Sequence, residues 1–411
     1  MVAPARGQEG LADDMANEMA TQARAQQAQA PDYTYKNGNF RLLVIPALSL
    51  QWNDNINATQ TGKEDDFIIL PTVGVVMSYP LSERNLLQVN VTGGYDEYTM
   101  HPHLSSFYLQ TGSGLSFNVS VKDILINLHD QISYVENSSQ NPQVAGTGTY
   151  GTFQNDAGLS GDWSLKYFDF TLGYDHQNSE STSAEFDQIN NSTESAYTRL
   201  GYKFSSKLTA GVEGTIAYTA YNQNVLNDNT AYSAGVYAIW KPGSFLQIEP
   251  RVGYTLDQFE HTSQDLQTSN LNSWYVDVNI SHQITRAINY TIDAGHNISS
   301  GLQSDVNEYW YANAGLGWNF APGLSLQPTF SYQHGNSGFG STVLSAGMSN
   351  PFLLQQHEIY DWYVTGVSLN YAVSKRLTVS CSYQLTERTS SLADRGYTQN
   401  IVGITLTYRP I

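Results

Sequence analysis

The sequence has few charged residues, a single cysteine and no long apolar run. Only 14% of its 411 residues are charged, against about 25% in ordinary soluble proteins. Cys381 is the only cysteine, which excludes an intramolecular disulfide. Pro46 interrupts the apolar run at 42–45, and nothing approaches the roughly 18 apolar residues that a membrane-spanning helix needs. These deficits argue against both a typical soluble enzyme and a helical membrane protein.

What the sequence does contain is a regular alternation of apolar and polar residues. In WYVDVNIS at 274–281, for example, apolar and polar side chains alternate. This period of two is required of a strand that faces lipid on one side and water on the other. The 28 tyrosines suit such strands, because tyrosine is favoured at the lipid–water boundary. The mean hydropathy of −0.35 hides the apolar face, since alternating residues cancel in an average.

We therefore predict an all-β fold, a transmembrane antiparallel β-barrel of about 18 strands that occupies residues 39–411. Cys381 alternates in phase with apolar neighbours, so we interpret it as a lipid-facing residue rather than a reactive thiol. The strands are predicted near 40–53, 67–79, 85–99, 105–120, 123–137, 152–164, 167–178, 193–204, 207–222, 229–240, 244–260, 270–284, 287–299, 307–320, 324–335, 357–373, 376–388 and 396–409.

The connections between these strands fall into two alternating classes. Short turns such as VKD at 121–123 and SSK at 205–207 alternate with longer polar segments such as 137–152 and 335–356. Short periplasmic turns and longer extracellular loops are typical of barrels in the Gram-negative outer membrane. This pattern predicts that location, an even number of strands and both chain ends in the periplasm.

The two ends of the chain differ from the barrel pattern. Within residues 1–38, the stretch at 9–30 is rich in the helix formers Ala, Gln and Glu and has a weak apolar stripe, which predicts a periplasmic segment, helical or disordered. A plug inside the barrel and a partner-binding helix are the alternatives. Proteins of this class are exported behind a signal peptide, which we expect to have been removed. Near the C-terminus, Gly403, Leu406 and Tyr408 fit the signal read by the barrel-assembly machinery, although Arg409 to Ile411 follow where an aromatic residue usually ends it.

The 37 acidic and 19 basic residues are sorted along the chain. Basic residues such as Lys122, Lys207 and Arg286 lie beside the short turns, whereas the longer loops carry most of the acidic ones. An acidic mouth would concentrate cations and repel anions. The alternative is that these charges keep the loops soluble and bridge through divalent cations to lipopolysaccharide in the outer leaflet.

A few charged residues are predicted to face the lumen. The TRA turn at 285–287 would pair Asp277 near 294, which brings it close to Asp293, and Glu213 should approach Arg199 across the SSK turn. These charges would form a weakly cation-selective constriction; ordinary solvation of the lumen and cross-strand pairing are the alternative. The candidates are Asp277, Asp293, Glu213, Arg199, Glu249 and Arg251.

The loop at 335–356 is unlike the others because it is apolar. It contains Phe339, Leu344, Met348 and Phe352 and few charges. Apolar loops are unfavourable in water, so we expect this one to fold into the barrel mouth or to contact a neighbouring subunit. A flexible external loop is the alternative.

Signatures of catalysis, cofactors and nucleic-acid binding are missing from the sequence. It has no phosphate-binding glycine loop, zinc spacing or basic patch, so we predict no enzyme, no cofactor, no metal and no nucleic-acid partner. His101 and His103, near Asp96, are the best candidates for catalytic residues at the rim of the barrel. They flank a proline, however, which is typical of an ordinary loop. We interpret His129 and His296 as lumen or interface residues rather than metal ligands.

The first predicted hairpin resembles a known family. WNDNI at 52–56, DDFI at 65–68, Pro71 and Gly74 are similar to the putative β-barrel porin 2 family of Gram-negative outer-membrane proteins. Members are often associated with exopolysaccharide gene clusters, so the resemblance implies an outer-membrane location and, less specifically, export of polysaccharide. It transfers no catalytic residue.

Together these features predict a porin-like channel for small polar solutes or glycans, weakly cation-preferring, since side chains cannot fill an 18-stranded barrel. Exopolysaccharide export is the form that the resemblance favours. The alternative is a plugged, non-conducting barrel with a structural role in an outer-membrane assembly. The expected partners are outer-membrane lipid and lipopolysaccharide, the barrel-assembly machinery and periplasmic export proteins, with homo-oligomerisation left open.

Overall fold

Antiparallel strands form one closed barrel. The computed structural model describes residues 33–82, 84–136, 141–146, 150–263, 266–338, 341–343 and 357–410. The main sheet has 19 strands, of which a short first strand is an addition to the second, and the other eighteen close the barrel. Among the described residues, no helix is long and apolar enough to cross a membrane.

The strands agree closely with the predicted ones. Strand ends differ most for the one predicted at 167–178, which runs on to Ser181. The barrel strands are β2 (Phe40–Asn53), β3 (Asp66–Pro80), β4 (Asn85–Tyr98), β5 (Ser106–Val121), β6 (Ile124–Glu136), β7 (Gly151–Ser164), β8 (Phe168–Ser181), β9 (Asn191–Ser205), β10 (Leu208–Tyr221), β11 (Asn229–Trp240), β12 (Leu246–Phe259), β14 (Leu271–Gln283), β15 (Ile288–Ser300), β16 (Val306–Ala321), β17 (Leu324–Ser337), β19 (Glu358–Ala372), β20 (Leu377–Ser390) and β21 (Tyr397–Tyr408). The short strands are β1 (Tyr35–Asn37), β13 (Leu266–Thr268) and β18 (Ser341–Val343), and 3₁₀ helices lie at Pro102–Leu104 and Ala184–Ile189.

Pairing of the first and last barrel strands closes the sheet. Residues 47–53 of β2 pair with β21, with Leu48 opposite Leu406. The start of β2 extends beyond that pairing and is met by β1 instead, with Tyr35 opposite Leu42. A barrel in lipid must leave no strand edge unpaired, and β1 completes the edge that β21 does not reach.

The two ends of the barrel carry different connections. Both described chain ends lie at the end with the short turns, where Thr34 Oγ1 donates a hydrogen bond to Pro410 O at 3.4 Å. We call this the turn end and the opposite one the loop end. At the turn end, Lys203 Nζ donates to Leu165 O at 2.8 Å, so a basic side chain there ties neighbouring turns together.

The outer face of the barrel is apolar, as the alternation predicts. On β21, Ile404 is 55% exposed and Leu406 is 44% exposed, and both point away from the lumen. Cys381 is exposed and lies opposite Ile404 in the sheet, which agrees with its interpretation as an outward apolar residue. Tyr408, also in the predicted assembly signal, is exposed on the same face, whereas Gly403 lies between Gln51 and Ser382.

Candidate functional site: the lumen wall and the loop end

The lumen wall carries a network of charged side chains on β9, β10 and β12. Arg199 lies directly opposite Glu213, and Arg199 Nε is 3.1 Å from Glu213 Oε2. Arg199 Nη2 also reaches Glu249 Oε1 at 3.0 Å. Between these contacts the guanidinium lies over the ring of Tyr237, with its carbon 4.1 Å from the ring centroid. A single arginine thus bridges two carboxylates across the wall.

The exposure of their chain neighbours shows that Arg199 and Glu213 face the lumen. Each of them is adjacent to an apolar residue that is exposed on the outer face. Leu200 is 45% exposed and Val212 is 53% exposed, whereas their chain neighbours Arg199 and Glu213 are buried. The outward Leu200 and Val212 pair with each other, just as Arg199 and Glu213 do. The two-residue period of the strands therefore puts charged side chains inside in one row of the sheet and apolar side chains outside in the next.

Tyr275 and Arg251 extend the network to β14. Arg251 Nε lies 3.4 Å from Glu213 Oε1, and Tyr275 Oη donates to the same oxygen at 2.8 Å. Tyr275 can lie flat over the wall because Gly235 and Gly253 have no side chains. A Cβ on Gly235 would fall 2.1 Å from Tyr275 Oη, and one on Gly253 would fall 2.4 Å from its Cζ.

Asp277 and Asp293 lie on the neighbouring strands β14 and β15. Asp277 is opposite Arg251 on one side and opposite Gly295 on the other, one residue from the predicted pairing. Asp293 lies one lumen-facing row nearer the turn end, opposite Asn279, and Tyr311 Oη donates to Asp277 Oδ2 at 2.5 Å. The structure thus groups the six charged candidates on one part of the wall. We call them the lumen charge patch: Arg199, Glu213, Glu249, Arg251, Asp277 and Asp293.

At the loop end, several connections pack against one another. Asp305, in the loop between β15 and β16, accepts hydrogen bonds from Asn227 N and Nδ2, each at 2.7 Å, and from Thr268 Oγ1. Burial raises the pKa of the Asp305 carboxyl, and these hydrogen bonds offset part of the rise. An apolar cluster from four loops lies alongside. Its buried members are Val144, Tyr150, Phe186, Ile189, Leu226 and Leu266.

One of these connections crosses the mouth of the barrel. Residues 141–146, which we call the crossing loop, follow β6, yet they contact the far side. Gln143 Oε1 accepts from Leu302 N at 3.0 Å, and Gly146 N donates to Ala58 O at 2.9 Å. In the sheet order, β6 and β7 are remote from the strands that flank Leu302. The crossing loop therefore spans the opening rather than standing above it.

Two arginines hold the crossing loop against the β19–β21 side of the barrel. Arg388 Nε donates to Pro142 O and Arg395 Nη2 donates to Gln143 O, each at 2.7 Å. Both guanidinium groups bind Glu358 Oε1, at 2.7 Å from Arg388 and 2.9 Å from Arg395. The side chains of Glu358 and Arg388 are fully buried. We call Glu358, Arg388 and Arg395 the arginine clamp.

The arginine clamp was not among the sites predicted from the sequence. The available signal was that Arg388 and Arg395 are basic residues at a longer loop, whereas the longer loops carry mostly acidic ones. Their partner Glu358 precedes them by a long stretch of chain and looks like any other loop carboxylate. Only the pairing of β19 with β20 brings it beside them.

The apolar loop predicted to enter the mouth is described only in part. Phe339, Leu344, Met348 and Phe352 lie outside the described residues. The described segment β18 pairs antiparallel with β13, which places Val343 opposite Leu266. Since Leu266 belongs to the buried apolar cluster, this part of the loop joins the packed connections at the loop end, and the role of the remainder stays a prediction.

His101, one of the two histidines considered for a catalytic rim, contacts carboxylates at the loop end. His101 Nδ1 lies 2.9 Å from Asp66 Oδ2 and its Nε2 lies 3.4 Å from Glu64 Oε2. The carboxylate of Asp66 also accepts hydrogen bonds from the backbone N–H groups of Met100 and His101. These contacts fasten the loop after β4 to the start of β3, and Asp66 rather than Asp96 is the partner.

The chain is similar to a known protein family and to solved structures of outer-membrane proteins. The model of a family described as putative beta-barrel porin 2 matches residues 34–410, and no curated protein matches the sequence. OccAB3 of Acinetobacter baumannii is a similar crystal structure, with a TM-score of 0.48 and 7% identity over 90% of this chain and 99% of that one. OccK2 (OpdF) of Pseudomonas aeruginosa, in complex with glucuronate, has a TM-score of 0.48 and 9% identity over 91% and 99%. OccK5 (OpdH) of the same organism has a TM-score of 0.48 and 11% identity over 90% and 98%.

The family match spans the whole barrel, and the first hairpin that resembles the family forms its β2–β3 pair. The closed sheet, the apolar outer face and the polar lumen agree with that assignment. The chain belongs to the putative beta-barrel porin 2 family and has the outer-membrane β-barrel porin fold of Gram-negative bacteria.

Proposed function

We propose that the protein is a channel, not an enzyme, which conducts small polar solutes or glycans across the outer membrane. The observation that carries this proposal is the lumen charge patch, because charged side chains on the inner wall of an 18-stranded barrel imply a water-filled interior. With two basic and four acidic members, its formal charge is −2. That excess of carboxylates supports a weak preference for cations.

Tyrosines beside the lumen charge patch favour sugars among the polar solutes. Tyr237, Tyr275 and Tyr311 line the wall at the patch, and tyrosine offers both a ring face and a hydroxyl group to a sugar. The family resemblance directs this proposal to export of an exopolysaccharide, with the turn end and both chain ends in the periplasm. Partners in the proposal are lipopolysaccharide around the barrel, the barrel-assembly machinery during insertion and periplasmic export proteins.

The crossing loop favours a second candidate function. A loop held across the mouth by the buried arginine clamp reduces the opening, and the packed connections beside it reduce it further. A barrel that these loops close entirely would act as a structural or interaction protein in an outer-membrane assembly, alone or as a homo-oligomer.

Electrical recordings distinguish the two functions. Purified full-length protein in a planar lipid bilayer should produce discrete conductance steps if the lumen is open. A barrel that shows none, even after deletion of residues 1–32 and 338–356, which spares β1 and β17, would favour the structural role and contradict the channel.

The double variant Asp277→Asn, Asp293→Asn should weaken cation preference. The two substitutions change the formal charge of the lumen charge patch from −2 to zero, so the reversal potential in a KCl gradient should move toward zero. Asp123→Asn is a suitable control, because Asp123 is an exposed turn residue whose loss removes one carboxylate away from the lumen wall. An unchanged reversal potential in the double variant would show that these carboxylates do not face the permeating ions.

Export of polysaccharide is tested in the organism. A strain without this gene should lose its surface polysaccharide and regain it when the gene is restored, while a strain that keeps the polysaccharide would contradict the export function. The Asp277→Asn, Asp293→Asn variant should restore export of a neutral polymer as well as the wild type does, because its pore dimensions are unchanged.

A further inference from the structure

A second group of charged residues lines the lumen wall, on the strands β6, β7 and β8. His129, Asp156 and Asp175 are all buried and all face inward, since the adjacent Leu128 and Tyr174 are exposed on the outer face. His129 Nε2 lies 3.0 Å from Asp175 Oδ1 and 3.9 Å from Asp156 Oδ1. One donor atom from each of the three residues lies within 4.8 Å of the other two.

A glycine makes this arrangement possible. Gly158 lies between His129 and Asp175 in one row of the sheet, paired with both. A Cβ on Gly158 would fall 1.8 Å from Asp175 Oδ1 and 2.6 Å from His129 Nε2. The imidazole and the carboxylate therefore meet directly above the backbone of β7, in space that any other residue would occupy.

Two asparagines orient the imidazole. Asn127 Nδ2 donates to Asn118 Oδ1 at 2.9 Å, which leaves Asn127 Oδ1, 3.1 Å from His129 Nδ1, to accept the Nδ1 hydrogen. In the neutral imidazole, Nε2 then has a lone pair aimed at the two carboxylates. Metal-binding histidines are commonly oriented in this way by a hydrogen bond from the second ring nitrogen.

The carboxylates need a cation that the surrounding protein does not supply. The Asp175 side chain is 4% exposed and that of Asp156 is 11% exposed. Apart from His129, no described residue donates a hydrogen bond to either oxygen of Asp175 or to Asp156 Oδ1. A protonated His129 would balance one of the two negative charges and would leave the other buried without a balancing positive charge, which is costly.

We propose that His129, Asp156 and Asp175 bind a divalent transition-metal ion, with Zn²⁺ the best fit. Bonds of about 2.0–2.1 Å in tetrahedral geometry put donor atoms about 3.3 Å apart, between the 3.0 Å and 3.9 Å that separate His129 Nε2 from the two carboxylates. One nitrogen and two carboxylate ligands suit Zn²⁺ better than Ca²⁺ or Mg²⁺, which prefer oxygen ligands alone. A doubly charged ion balances both carboxylates, and water would complete its coordination.

The proposal is tested with metal alone on the folded, full-length barrel in detergent. After removal of metal by chelation, titration calorimetry should find one Zn²⁺ site per chain, which excess Ca²⁺ or Mg²⁺ does not occupy. Co²⁺ at the same site should show the intense visible absorption of a low-coordinate ion with nitrogen and oxygen ligands. If the wild type shows no more than the weak absorption of octahedral Co²⁺, that result alone overturns the proposal, whatever the variants show.

Variants separate a metal site from an ion pair. Asp175→Asn and His129→Gln should each weaken Zn²⁺ binding at least tenfold, and Asn127→Ala should weaken it about 10–100-fold by freeing the imidazole. Gly158→Ala should abolish binding without replacing a ligand, because its Cβ would occupy the space where the Asp175 and His129 donor atoms meet. Gly161→Ala is its matched control on the same strand, because a Cβ there meets nothing within 4 Å.

The folding of every variant is checked by heat-modifiable migration on SDS gels. Folded Asp175→Asn and Gly158→Ala proteins that bind Zn²⁺ as the wild type does would show that the three residues form only an ion pair, and the proposal would be wrong.

Discussion

Replacing Glu358 with glutamine is expected to release the crossing loop and to enlarge the pore. The substitution keeps the size of the side chain but removes the one negative charge that both clamp arginines bind. Breaking a buried ion pair by removing one partner costs about 3–5 kcal/mol, and Arg388, which is 1% exposed, cannot be solvated in place. The arginines should move away from Pro142 and Gln143, and single-channel conductance in planar bilayers should rise.

A carboxylate on the next strand provides the control for this experiment. Glu387 is exposed and precedes Arg388, so Glu387→Gln removes the same charge from the same region without touching the clamp. Conductance of the control should match that of the wild type. If Glu358→Gln folds and conducts as the wild type does, the crossing loop is either held by other contacts or does not limit the current.

Opposite shifts in ion preference are expected from two residues that touch each other. Arg199→Gln changes the formal charge of the lumen charge patch from −2 to −3, and Glu213→Gln changes it from −2 to −1. One unit charge at a distance of about 4 Å is worth about 1 kcal/mol in water, which is up to about fivefold in the permeability of each ion. Because cation and anion respond in opposite directions, their permeability ratio should change by up to about 30-fold. It should rise in Arg199→Gln and fall in Glu213→Gln, as read from reversal potentials in a KCl gradient.

The opposite directions of the two expected shifts distinguish an effect of charge from a general disturbance of the lumen wall. Both variants break the same 3.1 Å contact, so a change that arises only from a disturbed wall would move both ratios in one direction. Arg286→Gln, in an exposed turn, removes a positive charge away from the patch and should leave the ratio close to that of the wild type. Shifts of the same sign in the two patch variants would count against control of selectivity by the lumen charge patch.

The strands and their order could be predicted from the sequence because the signal for them is local. Alternation assigns each residue to the lipid or the lumen face without reference to any distant residue. Short turns then fix which residues of neighbouring strands meet. For this reason the approach of Glu213 to Arg199 across SSK could be anticipated to the residue, and that of Asp277 to within one.

The contacts at the loop end could not be predicted in the same way. Arg388 lies on β20, whereas Pro142 lies far away in the sequence, in the loop between β6 and β7, which are not neighbours of β20, so no turn relates them. The group formed by His129, Asp156 and Asp175 was missed for a different reason. Each residue alone looks like an ordinary polar lumen position, and Gly158, which lets them meet, resembles the many other glycines of the barrel.

The sequence by itself determined the fold class, the strands, the apolar outer face and the alternation of short turns with long loops. These depend on the two-residue period of a strand between lipid and water, which every segment carries independently. Only the tertiary structure decided which charges form one patch, which loop crosses the mouth and where three strands bring a histidine to two carboxylates. Those arrangements depend on the closure of the barrel and on the inward folding of its loops, which join residues that no local pattern connects.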